Sequence, residues 1–210
     1  MTTLYAVHVP WPLLALDIAI LLPPATSATV ELLNKQLAAP PEGFRFSAGH
    51  LPHISLVQQF SPTTELTVIE QTTADVVSKH PPFDLTLASA ATSETTSSLI
   101  ITPSPVLDTL HRRLMDQLAT FDVGVGDERA FRNTDATPTD AARRRDITWV
   151  SQFRTEAAYD AFTPHVTLGV GTVKTTIPKT TFTASVIALC ILGRFCTCQK
   201  VLASWDLSTH

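Results

Sequence analysis

Cysteine is scarce in this chain and falls late, at Cys190, Cys196 and Cys198. An odd number with no earlier partner excludes a disulfide framework. Cys196 and Cys198 lie two apart and would share one face of a strand. No further ligand stands beside them in sequence, so they read as small apolar residues of buried strands, not as metal ligands. Basic residues are outnumbered, 15 to 19, for a net charge of −4. That excludes an extended, non-specific nucleic-acid platform but not a pocket for one phosphate. The 7 glycines form no phosphate loop and no dinucleotide fingerprint. The one long apolar run, Trp11 to Leu22, is interrupted by Asp17 and bracketed by Pro12, Pro23 and Pro24. It is too short to span a bilayer and no Lys or Arg precedes it, so it reads as a core element. The expected compartment is the cytoplasm or the nucleus. Charged residues make up only 16% against 44% hydrophobic, which excludes disorder and gives a single globular unit over residues 1–210.

Alternation and helical spacing then divide the chain. Leu4 to Pro10 reads as a strand, Ala25 to Ala38 as a helix and Ile54 to Phe60 as a second strand. Ser61-Pro62 has the form of a helix cap followed by a first-turn proline, opening a helix to about Lys79. Phe83 to Ala88 and Ser98 to Thr102 read as strands. Ser104-Pro105 opens a helix carrying Leu107, Leu110, Leu114 and Leu118 on one face. Between Asp122 and Asp146 the pattern is lost, and this stretch, with Arg143, Arg144 and Arg145, reads as a long mobile loop. Arg154 to Phe162 is a short helix and His165 to Val170 a strand. Thr181 to Leu192 and Lys200 to Leu207 read as a closing antiparallel pair. The mixture is α+β.

Two segments echo each other about half the chain apart: Pro52-His53-Ile54-Ser55-Leu56 and Pro164-His165-Val166-Thr167-Leu168. Each opens a predicted strand, where residues two apart share a face. His53 thus points with Ser55, and His165 with Thr167, while the aliphatic residues point into a core. If the strands meet across a cleft, it holds two imidazoles and two hydroxyls. That set suits in-line attack on a phosphodiester. A neutral imidazole takes a proton from water, a protonated one gives a proton to the leaving oxygen, and the hydroxyls hold phosphate oxygens. Neither role requires a metal or another cofactor.

At these residues the chain resembles the 2H phosphoesterase superfamily, which includes bacterial 2′-5′ RNA ligase-like proteins and cyclic nucleotide phosphodiesterases of plants and fungi. The resemblance rests on His53-Ile54-Ser55-Leu56 and His165-Val166-Thr167-Leu168. It implies two pseudo-symmetric lobes, antiparallel sheets forming a central groove, and helices outside. It also implies metal-independent opening of 2′,3′-cyclic phosphates on nucleotides or RNA ends, often to the 2′-phosphate. A monomer is expected. His53 and His165 would be the acid–base pair, and Ser55 and Thr167 would bind phosphate oxygens. Many relatives carry Arg or Lys just after the second motif. Here Gly169-Val170 stands in that place, so positive charge must come from elsewhere. The competing readings are a non-catalytic module that binds a nucleotide or RNA end, and a 2′-5′ phosphodiester hydrolase or ligase.

Four further residues are candidates for substrate contact. Gln59 shares strand parity with His53 and Ser55. His8 lies on the first predicted strand, at the groove border. Tyr5 and Trp149 offer rings for stacking on a base. Tyr5 and His8 point to opposite faces, so at most one of them reaches the groove.

Overall fold

A computed structural model describes residues 12–132, 140–175 and 177–207. The predicted strand Leu4 to Pro10, with Tyr5 and His8, lies outside the described residues. The first described element is the apolar run itself, strand β1 (Leu13–Leu21). Asp17 apart, it is apolar because it is an inner strand, paired on both sides and covered on both faces. Leu16, Ile18 and Ile20 enter the main core, while Ala15, Asp17 and Ala19 point to the opposite face.

Helix α1 (Pro24–Asn34) follows, with Pro24 in its first turn, where a missing N–H costs nothing. Strand β2 (His53–Pro62) carries the first motif. Ser61-Pro62, expected to open a helix, instead completes β2, with Pro62 opposite Leu13. The helix starts after a 3₁₀ turn, as α2 (Leu66–Val77), and buries Ile69, Val76 and Val77. Strands β3 (Phe83–Ser93) and β4 (Thr96–Ile101) form a hairpin. Helix α3 (Pro105–Gln117) is capped by Ser104, whose hydroxyl accepts the Leu107 N–H, and its leucine face is buried as expected.

Helix α4 (Asp140–Gln152) begins inside the stretch expected to be a loop up to Asp146. Its buried stripe runs Ala142, Arg143, Asp146, Val150, and the two charged residues in it hide the apolar periodicity. Short turns lead to β5 (His165–Val170), which carries the second motif. The expected closing pair is divided at Ser185. Strand β6 (Thr180–Ala184) pairs with β3, whereas β7 (Val186–Leu192) lies between β1 and β8 (Cys198–Asp206).

The result is α+β, with two four-stranded antiparallel sheets in the orders β2-β1-β7-β8 and β5-β4-β3-β6. Each motif strand is the edge of its own sheet, and the two edges face each other. Both strands are broken by a bulge at the same motif position. Opposite β1, register passes from Ser55 to Val57, leaving Leu56 as the extra residue. Opposite β4, it passes from Thr167 to Gly169, leaving Leu168 extra.

The bulges are held by a reciprocal arrangement of helices. The carbonyl of Leu56 accepts a hydrogen bond from His111 Nδ1 of α3 at 2.7 Å. The carbonyl of Leu168 accepts one from Asn34 Nδ2 of α1 at 2.8 Å. Helix α1 joins β1 and β2 of one sheet but supports the motif strand of the other. Helix α3 joins β4 and β5 and does the converse.

Candidate active site

The facing edges place His53 and Ser55 opposite His165 and Thr167, and all four line one cleft of about 1230 Å³. The two imidazoles are oriented alike. Nδ1 of His53 donates to the Leu51 carbonyl at 2.7 Å, and Nδ1 of His165 to the Thr163 carbonyl at 2.8 Å. In each, the carbonyl two residues upstream fixes the tautomer and leaves Nε2 as the working nitrogen. Burial pushes His53 down to about 4, against the opposing pull of its Leu51 bond, and the charge of His165 adds to the downward push. His165 is half-buried on the other wall.

The two hydroxyls are not equivalent. The Thr167 hydroxyl makes no hydrogen bond to another described residue and lines the cleft. Ser55 Oγ donates to Asp17 Oδ2 at 2.6 Å. Asp17, on β1, is completely buried, and sequence reasoning gave it no role beyond interrupting the apolar run. That lone carboxylate among apolar residues was its only signal. Gln58 Nε2 also donates to Asp17 Oδ2, at 2.8 Å, and His53 Nε2 lies 3.5 Å from the same oxygen. Burial pushes Asp17 up to about 7, against the opposing effect of its contacts with Ser55, Gln58 and Cys198.

Gln58 takes the place expected for Gln59. Strict alternation would put Gln59 on the face of His53 and Ser55, but the extra residue at Leu56 reverses the parity. Gln59 therefore points away and donates to Ser61 Oγ and the Leu118 carbonyl. Gln58 lines the cleft, and its Oε1 accepts the indole N–H of Trp149 at 2.8 Å. Trp149, on α4, is 44% exposed and stands at the cleft as a ring with one edge tethered.

The arginine run divides. Arg143 is buried with its guanidinium 5.0 Å over the Phe131 ring, while the exposed Arg144 and Arg145 line the cleft together with Arg194. Among the described residues lining the cleft, Arg144 and Arg145 are the exposed cationic side chains where β5 offers Gly169-Val170. Gly169 has φ +140°, and a Cβ there would meet Asn34 Nδ2 at 3.3 Å, so the bulge itself excludes a basic side chain at that position. Asp146 fixes α4 beside this wall, lying 3.7 Å from Arg143 Nη1 and 3.8 Å from Arg194 Nε. Its burial pushes its pKa up to about 6.

Asp17, His53 and Cys198 are the one group among the described residues with donors that could hold a metal ion. Cys198 opens β8, buried, whereas Cys196 lies in the preceding turn and lines the cleft. The ligands missing around the cysteines in sequence are supplied in space by β1 and β2.

Among solved structures, E. coli LigT complexed with 3′-AMP has 16% sequence identity, covers 94% of this chain and 100% of its own, and gives a TM-score of 0.52. A Thermus thermophilus protein has 15% identity, covers 92% and 98%, and gives 0.55. A structure described as a phosphoesterase has 18% identity, covers 93% and 99%, and gives 0.53. These likenesses establish the fold. No curated protein matches the chain. No helix among the described residues is long and apolar enough to cross a membrane. The sequence pattern of the 2′-5′ RNA ligase superfamily matches residues 22–185. With that match over most of its length and both motifs on facing sheet edges, the chain belongs to the 2′-5′ RNA ligase superfamily of 2H phosphoesterases.

Proposed function

We propose that this protein is a metal-independent phosphodiesterase that opens 2′,3′-cyclic phosphates of nucleotides or RNA ends to 2′-phosphates. The observation that carries the reading is the pair of imidazoles with fixed tautomers, facing each other across one cleft, each beside a hydroxyl. Water attacks phosphorus as the bond to the ribose 3′ oxygen breaks. One Nε2 takes the proton from the water, and the other gives a proton to the departing oxygen. His53, buried and held neutral, suits the accepting role, and His165 on the open wall suits the donating one. Thr167 holds one non-bridging oxygen, and Ser55 holds another by turning its hydroxyl from Asp17 Oδ2 to the phosphate, with Arg144 and Arg145 supplying positive charge. Trp149 offers a face for a base. E. coli LigT has been crystallised in complex with 3′-AMP, ATP and NADP+, which supports a nucleotide-sized ligand for this chain.

The test is hydrolysis of 2′,3′-cyclic AMP in the presence of EDTA. Wild type is expected to turn over, and His53→Ala and His165→Ala to lose about 10²- to 10⁴-fold each. Full activity in either variant, or activity abolished by EDTA, would overturn the mechanism. Tight binding of the cyclic nucleotide without product over hours would favour the binding-module reading instead.

A further inference from the structure

Cys198 has no part in the proposed reaction, yet its thiol lies beside His53, which does, and beside Asp17, which accepts the Ser55 hydroxyl. One ligand atom each from Asp17, His53 and Cys198 lie within 4.8 Å of one another. The donors are a carboxylate, an imidazole and a thiol, all established zinc ligands, and they come from three strands of one sheet. Three protein ligands with one position left over is the arrangement zinc accepts readily.

Two further observations point to a cation. First, His53 is already arranged as a metal ligand. Its Nδ1–H is held by a backbone carbonyl, the usual outer partner of a ligating imidazole, and its Nε2 lies 3.5 Å from Asp17 Oδ2. Ligands about 2.0–2.2 Å from a tetrahedral zinc are separated by about 3.3–3.6 Å, so this edge is already at coordination spacing. Second, Asp17 is 0% exposed, and while Oδ2 accepts from Ser55 and Gln58, Oδ1 is buried with no hydrogen-bond partner. A buried carboxylate oxygen left unpaired is costly, and a cation would pair it. His53 lines the cleft, which gives an ion its route of entry.

We infer that Asp17, His53 and Cys198 form a binding site for zinc. Occupancy takes the His53 Nε2 lone pair, so the ion is a reversible inhibitor rather than a catalyst. The inhibitory half rests on the proposed two-histidine reaction, but the binding half does not.

The test uses the full-length, untagged, metal-free protein. Zinc affinity is read by competition with a chromophoric chelator, thiolate ligation by the absorption of the cobalt(II)-loaded protein, and inhibition by turnover of 2′,3′-cyclic AMP with and without zinc chloride. Wild type is expected to bind one equivalent with a thiolate-to-cobalt band and to lose turnover as zinc is added. Cys198→Ala is expected to turn over normally without zinc, to bind it at least ~10-fold more weakly, to lack the cobalt band and to resist inhibition. Cys198→Ser serves the same purpose if the alanine variant misfolds, and Cys196→Ala is expected to bind as wild type does. No zinc bound by wild type, or unchanged binding in Cys198→Ala, would overturn the site. If wild type turns over no cyclic nucleotide, the chelator and cobalt measurements still decide the site, and only the reaction reading fails.

Discussion

A carboxylate cut off from water must be held by donors, and Asp17 takes one of its own from the first motif. This makes the serine and the threonine of the two motifs unequal. Ser55 shares its hydrogen with Asp17, while Thr167 has its own to give. Thr167→Val is therefore expected to raise KM for the cyclic nucleotide by about 10-fold with little loss of stability. Ser55→Ala is expected to cost about 2 kcal/mol of stability, because a buried carboxylate loses a donor. Steady-state kinetics beside urea unfolding would separate the two, and equal effects on both readouts would contradict the asymmetry. The histidines and hydroxyls were legible in the sequence because a repeated motif survives any register. Gln58 was not, because a bulge shifts parity without leaving a mark on composition. Asp17 was legible only as a charge in the wrong place.

At the scale of elements, both bulged leucines release a carbonyl that a helix on the other side of the molecule recovers. His111 does so while locked in one tautomer. Its Nδ1–H donates to Leu56 and its Nε2 accepts the Tyr159 backbone N–H at 2.9 Å, with the ring stacked on Phe162 at 3.8 Å. Asn34→Leu and His111→Leu are each expected to cost about 2 kcal/mol, since each strands a buried carbonyl, and to lower turnover without touching substrate. Burial pushes the His111 pKa below its ordinary value near 6.5, outweighing the upward pull of its Leu56 bond and of Asp108. The unfolded chain thus takes up a proton that the folded one refuses. This stability is fully present above about pH 6.5 and is lost as pH falls towards the lowered folded value. Between pH 7.5 and 5 the urea midpoint of wild type should fall relative to that of His111→Gln. The difference between the two proteins is the readout, because His53 and His80 act in the same direction as His111 while Asp17 and Asp146, pushed up by burial, add stability as pH falls. A difference that stays constant across this range would remove His111 from the account. Most strands and helices were legible from periodicity. Ser61-Pro62 misled because a strand end tolerates proline as well as a helix start does. The α4 helix was missed because its buried stripe is held by Arg143 and Asp146 as well as by apolar residues.

At the scale of the molecule, the chain builds β1 and β2 in one sheet, β3 to β6 in the other, and returns for β7 and β8. The two-lobed plan was legible through family resemblance alone. Local pattern could not separate Thr181 to Leu192 into strands of different sheets, since one residue, Ser185, marks the crossing. With strands and supporting helices exchanged in this way, the main core is common to both lobes. Urea unfolding followed by tryptophan fluorescence and by far-ultraviolet circular dichroism should give coincident single transitions. Two separated transitions would show that the lobes are independent.

The crossed helices also govern how a ligand meets the cleft. Spreading the motif strands would pull Leu56 from His111 and Leu168 from Asn34 together, two buried bonds with no water to replace them. The distance between the imidazoles is therefore set as by a gauge, not by a hinge. A ligand of the proposed class fits between them or is refused, and whatever adapts to the rest of it must do so along the α4 wall, where Trp149 and the exposed arginines stand.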